Sequence, residues 1–206
     1  FCLLQIRPML QSGSHRLYEQ IKYIKDDLLC RSTVSLGNGS INDIHDIIYV
    51  DIKKFNIAKT RAISEEIEIL NKKLGKKNPY LLIGPGRWGT ADEWLGIPVD
   101  WNQISNTAAI VEVGLEKLPI DPSFGTHFFQ NIAGMRIGYF TINHKGKQDC
   151  INHKNITKLP INEKMEYTTW IKVKQPLIIN INGNTGEGII AKFPKEIMDE
   201  EESTGI

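Results

Sequence analysis

The chain has 206 residues, enough for one large domain or two small ones, and 41% of them are hydrophobic, ample for a packed core. A formal net charge of +1 gives no broad basic surface for nucleic acid or an anionic membrane, and no apolar run approaches the roughly 18 residues of a membrane span. Cys2, Cys30 and Cys150 stand far apart, odd in number and without a CxxC pair, which argues against a zinc site or a disulfide framework and for a reducing, cytoplasmic setting.

The first residues, "FCLLQIRPM", read as a strand already under way, stopped by Arg7-Pro8. Two expectations fit that opening: a processed N-terminus, or the C-terminal piece of a longer protein whose preceding domain has been cut off. "SHRLYEQIKYIKDDLL" (14–29) carries Leu17, Ile21, Ile24 and Leu28 at helical spacing behind Ser14 as N-cap, and predicts a linker helix. "CRSTVSL", "GNGS" and "INDIHDIIYVDI" read as two strands joined by a glycine turn, the Asn-Gly pair suiting a tight hairpin or a bulge. "AISEEIEILNKKLGKK" (62–77) is the clearest helix: Ile63, Ile67, Leu70 and Leu74 form one stripe, and Gly75 stands at the C-cap.

"YLLIG" (80–84) and "AAIVEVG" (108–114) are short apolar runs of the kind buried strands show, the first broken by "PGRWG". A short helix led by His127 follows, then the strand "RIGYFTI" (136–142). Residues 143–164 read as an excursion or hairpin, 167–193 as two or three strands, and "MDEEESTGI" as a solvated acidic tail. Strands and helices alternate through the middle while strands dominate both ends, so the fold class is mixed α/β or α+β.

Four places carry the residue types of chemistry. Gln5 and Arg7, two apart on a strand, share a face and suit phosphate oxygens, or simply a solvated edge. In "GPGRWG" (84–89), Gly84, Gly86 and Gly89 can leave backbone N–H groups converging on an anion beside Arg87; equally, the segment can be a strand-ending turn anchored by Trp88. No Gly-Lys-Ser/Thr follows, so it is not a Walker A loop. Asp92, Glu93, Trp94 and Trp101 can line a ligand pocket or pin a loop.

His127 follows Gly125-Thr126 at the start of its helix. Imidazole can accept a phosphoryl group on nitrogen, and free N–H groups at a helix N-terminus, with Thr126 as a further donor, would stabilise it there. The competing reading is a histidine that caps or packs. Among the five histidines no pair has metal-ligand spacing, so no metal site is expected.

"CLLQIRPM" resembles the last strand of the ATP-grasp-like nucleotide-binding domain of phosphoenolpyruvate synthase and pyruvate phosphate dikinase, with its Leu-Gln-x-Arg-Pro signature. The resemblance implies that Gln5 and Arg7 contact nucleotide phosphates. In that family a swivelling phosphohistidine domain of β/β/α type follows, opening on a strand–glycine–strand element like "STVSLGNGSINDIHDIIYV". Its active segment runs Gly-Gly-x-x-Ser-His-Ala-Ala, and "SFGTHFFQNIAGMRIGYF" is similar in its Gly, hydroxyl residue, His, apolar helix and strand. Phe124, Phe128 and Phe129 depart from it, standing where the family has Gly and alanines, and the phosphoenolpyruvate-binding barrel is absent from the chain. "YLLIGPGRWGTADEWLGIPVDW" also resembles the C-terminal region of large bacterial proteins named as phosphoenolpyruvate synthases, of the Bacteroidetes type.

The resemblance implies this organisation: residues 1–12 end a truncated nucleotide-binding domain, 13–30 form a linker helix, 31–142 a swivelling-type domain, 143–197 a β-rich C-terminal extension, and 198–206 the acidic tail. It also implies a phosphotransferase in which ATP and Mg2+ are bound by the upstream ATP-grasp-like domain and His127, assisted by Thr126, relays the phosphoryl group to an acceptor on another domain or protein. The fragment alone would hold no cofactor and be inert. The alternatives are a structural or regulatory module that has lost phosphocarrier function, and a small-molecule binding domain using Arg87, Asp92 and Trp94.

Overall fold

The computed structural model describes residues 27–90, 92, 94–116, 118, 120, 127–143 and 148–193. In chain order the strands are β1 (Leu28–Ser32), β2 (Val34–Leu36), β3 (Gly39–Ile41), β4 (Asp46–Val50), β5 (Tyr80–Pro85), β6 (Arg87–Trp88) and β7 (Gly96–Ile97), then β8 (Thr107–Val113), β9 (Gly138–Ile142), β10 (Cys150–Ile151), β11 (Ile161–Lys164), β12 (Thr168–Lys172), β13 (Ile178–Asn182) and β14 (Glu187–Ala191). The α-helices among the described residues are α1 (Thr60–Leu74), α2 (His127–Gly134) and α3 (His153–Thr157), with 3-10 turns at Ile57–Lys59 and Trp101–Ile104.

Seven strands form the larger sheet in the order β11-β12-β4-β5-β8-β9-β2. Its centre, β4-β5-β8-β9, is parallel, and the flanking strands run antiparallel. Parallel central strands are covered on both faces, so they read as unbroken apolar runs, which is why "DIIYV" and "YLLIG" show no alternation. The alternation reappears in where the side chains go. Ile47, Tyr49, Leu81, Ile83, Val111 and Phe140 meet one core, while Ile48, Val50, Tyr80, Leu82, Ile110 and Tyr139 meet another.

The first core lies against the second sheet, five antiparallel strands in the order β10-β1-β14-β13-β3, through Leu29, Cys30, Ile179, Ile181 and Ile190. The second core is closed by α1 with Ile63, Ile67, Leu70 and Leu74, and by Trp88, Ile97, Val99 and Ile132. Two sheets and a helical layer therefore stack in the order β/β/α, a mixed α+β molecule dominated by strand.

The helix expected at 62–77 runs from Thr60 to Leu74 and ends as its stripe predicts. Gly75, at φ 64, donates its N–H to the Asn71 carbonyl at 3.1 Å. Other expectations need correcting. The linker helix over 13–30 lies outside the described residues as far as 26, and its last residues, Leu28 to Cys30, belong to strand β1. The hairpin around the Asn-Gly pair does not form: β2 pairs with β9 and β3 with β13, so the chain crosses between sheets at Gly37 and Gly39 (φ 121 and 106) instead of folding back on itself.

The stretch 143–197 is not set apart from what precedes it. β12 lies beside β4, and β14 and β13 lie between β1 and β3. Residues 1–12 and 198–206 lie outside the described residues. No helix among the described residues is long and apolar enough to cross a membrane.

Candidate functional site

In open sheets with parallel strands the carboxyl ends are where ligands gather, because loops fan out there above exposed strand termini. Here those ends are Val50, Pro85, Val113 and Ile142, and the loop leaving β5 is the glycine-rich segment. Gly86 turns the chain at φ 75 and Gly89 turns it again at φ 70, conformations that L side chains rarely adopt. Between them β6 runs parallel to the short strand β7.

The expected convergence of free N–H groups on an anion is not found in residues 86 to 89. Gly86 donates to the Val113 carbonyl, Arg87 to Leu95 and Gly89 to Ile97, each at 3.0 Å. Trp88 donates its backbone N–H to Glu112 Oε1 at 3.0 Å. All four donors are used inside the chain. The glycines are required by packing: a Cβ on Gly84 would lie 2.5 Å from the Trp88 ring, and one on Gly89 2.3 Å from the Phe128 ring. The Trp88 indole, buried, donates to the Val111 carbonyl at 3.2 Å and locks the segment onto β8. What remains available at this loop is the Arg87 side chain. It is half-buried and makes no hydrogen bond or ion pair among the described residues.

Beneath it sits a group that the sequence reading passed over. Glu112 is the lone acid in the apolar run of β8 and points to the helical side of the sheet, like Ile110 two residues before. It is 3% exposed. Its Oε1 accepts the Trp88 N–H and its Oε2 the Tyr139 hydroxyl from β9. Burial raises its carboxyl to about 7, against the lowering effects of the Tyr139 and Trp88 hydrogen bonds and of the Arg87 charge. Burial likewise raises the Tyr139 phenol, and the carboxyl beside it adds to the rise. Opposite Glu112 on β9 lies the buried Thr141, whose Oγ1 has no hydrogen-bond partner within bonding geometry among the described residues. An acid interrupting an otherwise apolar strand was the one signal that could have found this cluster.

His127 is the first residue of α2, in the connection from β8 to β9 on the carboxyl side of the sheet; its side chain lies outside the described residues. Its neighbour Phe128 packs over Gly89 and makes an edge contact with Trp101, ring centroids 5.7 Å apart. The start of α2 is thereby held against the glycine-rich loop. Thr126, Gln5 and Arg7 lie outside the described residues. Asp92 accepts the Trp94 N–H on a carboxylate oxygen at 2.9 Å, and the Trp94 side chain is 72% exposed; Glu93 lies outside the described residues. Among the described residues no group of three His, Cys, Asp or Glu side chains is placed to hold a metal ion. No family model, no curated protein and no solved structure matches the chain.

Proposed function

We propose that the chain is the phosphohistidine-type carrier portion of a phosphoenolpyruvate synthase-like phosphotransferase, with His127 as the group that is phosphorylated. The observation that carries the reading is the position of His127: first residue of the helix joining two parallel strands, at their carboxyl side, beside the loop that bears Arg87. A neutral imidazole nitrogen there would attack phosphorus, a P–N bond forming as the P–O bond to the departing nucleotide phosphate breaks and the leaving oxygen takes the electron pair. Helix N–H groups not yet paired within the first turn would face the new phosphoryl oxygens, and Arg87 supplies a cation with no ion pair among the described residues. The β/β/α layering is consistent with a swivelling domain. ATP and Mg2+ belong, in this reading, to a nucleotide-binding domain ahead of the chain, and the chain alone is inert.

A second reading is favoured by one specific observation. The N–H groups of 86–89 are all used, and the space at Gly84 and Gly89 is filled by Trp88 and Phe128. A loop so filled suits a structural or regulatory module. Phosphoramidate, which transfers its phosphoryl group to imidazole with loss of ammonia, separates the two. The carrier reading expects phosphoryl mapped by mass spectrometry to His127 ahead of His45 and His153, which bond Val173 O and Tyr49 Oη through Nδ1. The structural reading expects His127 to stay unmodified.

A further inference from the structure

Glu112 is placed where a carboxylate would be well served, yet it lacks the partner that would serve it best. Two donors, the Trp88 N–H and the Tyr139 hydroxyl, already point at its oxygens. Arg87, the residue before Trp88, is near enough for its charge to act on the carboxyl, but no ion pair within 4.0 Å joins them. These are the charged and titratable groups that face Glu112 among the described residues: Tyr139 from β9 and Arg87 from β6, with the neutral hydroxyl of Thr141 opposite. An ionised carboxylate in so buried a site would draw a neighbouring guanidinium into contact, because attraction between charges rises steeply as solvent is excluded.

We infer that Glu112 is a proton-controlled latch on the glycine-rich segment: neutral, it leaves Arg87 unpaired and available to an anionic ligand, and ionised, it draws Arg87 inward and holds residues 86–89 more tightly. The latch couples proton uptake to the freeing of a cation, so an anion that binds Arg87 would be bound more strongly on the acid side. Nothing in it depends on His127 being a phosphocarrier. The segment already reports the state of the carboxyl, because the Trp88 amide is bonded directly to it.

The test is a pH titration of the whole chain by 15N NMR from pH 5 to 9, following the Trp88 amide and the Arg87 side-chain Nε–H. The expected result is that both move with one midpoint near the value of about 7 that burial imposes on Glu112. The movement should vanish in Glu112→Gln and persist in His127→Ala, which separates the latch from titration of the histidine. An Arg87 Nε–H that does not move with the Trp88 amide, a Trp88 amide that does not titrate, or either signal still titrating in Glu112→Gln, overturns the inference. Should Glu112→Gln fail to fold, Tyr139→Phe decides. Removing a donor to the carboxylate is expected to raise the midpoint by roughly one pH unit, and an unmoved midpoint overturns the latch.

Discussion

Gly89 and Glu112 show what single residues decide here. Gly89 combines a φ of 70 with the Phe128 ring 2.3 Å from where a Cβ would stand. Gly89→Ala is therefore strained in its backbone and forces α2 away from the loop, and should lose about 1–3 kcal/mol in urea unfolding. Glu112 sets a pH dependence whose sign follows from its surroundings. Burial raises the folded carboxyl from 4.5 to about 7, so the native state keeps a proton that the unfolded chain gives up. Stability from this group is complete below about pH 4.5 and is lost as pH rises through about 7, a change on the order of 3 kcal/mol. Unfolding free energies measured at several pH values should show that decline in the wild type and a flatter profile in Glu112→Gln. The sequence made Gly89 legible as a turn residue but not its reason. A positive φ can be guessed from glycine, whereas the ring that fills its missing side chain comes from 39 residues further on. Glu112 shows in the sequence only as an acid interrupting an apolar run; its burial and its bonds to Trp88 and Tyr139 come from the sheet.

At the scale of elements, α1 was readable because its information is local. The stripe of Ile63, Ile67, Leu70 and Leu74 lies on one face by helical spacing alone, and all four are buried against the larger sheet. Leu70→Ala should cost about 2–5 kcal/mol, measured by denaturant unfolding, since Leu70 is wholly enclosed. What α1 does on its other flank was not readable. Glu66 accepts the backbone N–H groups of Glu166 (3.1 Å), Tyr167 (3.1 Å) and Thr168 (2.8 Å), and the Thr168 hydroxyl at 2.7 Å. This carboxylate ties the helix to the turn entering β12, a contact across 100 residues or more with no trace in local pattern. Glu66→Ala should cost about 2 kcal/mol or more and speed amide exchange at Tyr167 and Thr168, as charge-assisted bonds are lost together. The false hairpin at the Asn-Gly pair has the same origin. Turn chemistry marks where a chain bends, not which strand it then meets, and β2 and β3 find their partners more than 100 residues away.

For the whole molecule, the sequence conveyed a mixture of strands and helices but not how the early strands β1 to β4 and the late strands β12 to β14 are woven together. The stretch expected as a C-terminal extension supplies β12 next to the parallel centre and β13 and β14 in the middle of the second sheet. Without it β1 and β3 lose their partner strands, and the first core loses Ile171, Ile179, Ile181 and Ile190. A chain ending at residue 142 should accordingly show no cooperative thermal transition by circular dichroism, where a removable extension would leave one. The proposed carrier function bears on the molecule as a whole too: as a proposal, it puts the nucleotide on a preceding domain and the relay on this one. The direct measurement joins them. The chain, attached to the nucleotide-binding domain that the proposed function places ahead of it, is incubated with Mg2+ and ATP labelled in the β or the γ position, in wild type and in His127→Ala. The account predicts acid-labile, base-stable label on the wild type that His127→Ala abolishes. Absence of label, or label that survives the substitution, would contradict it and leave His127 a packing residue at the head of α2.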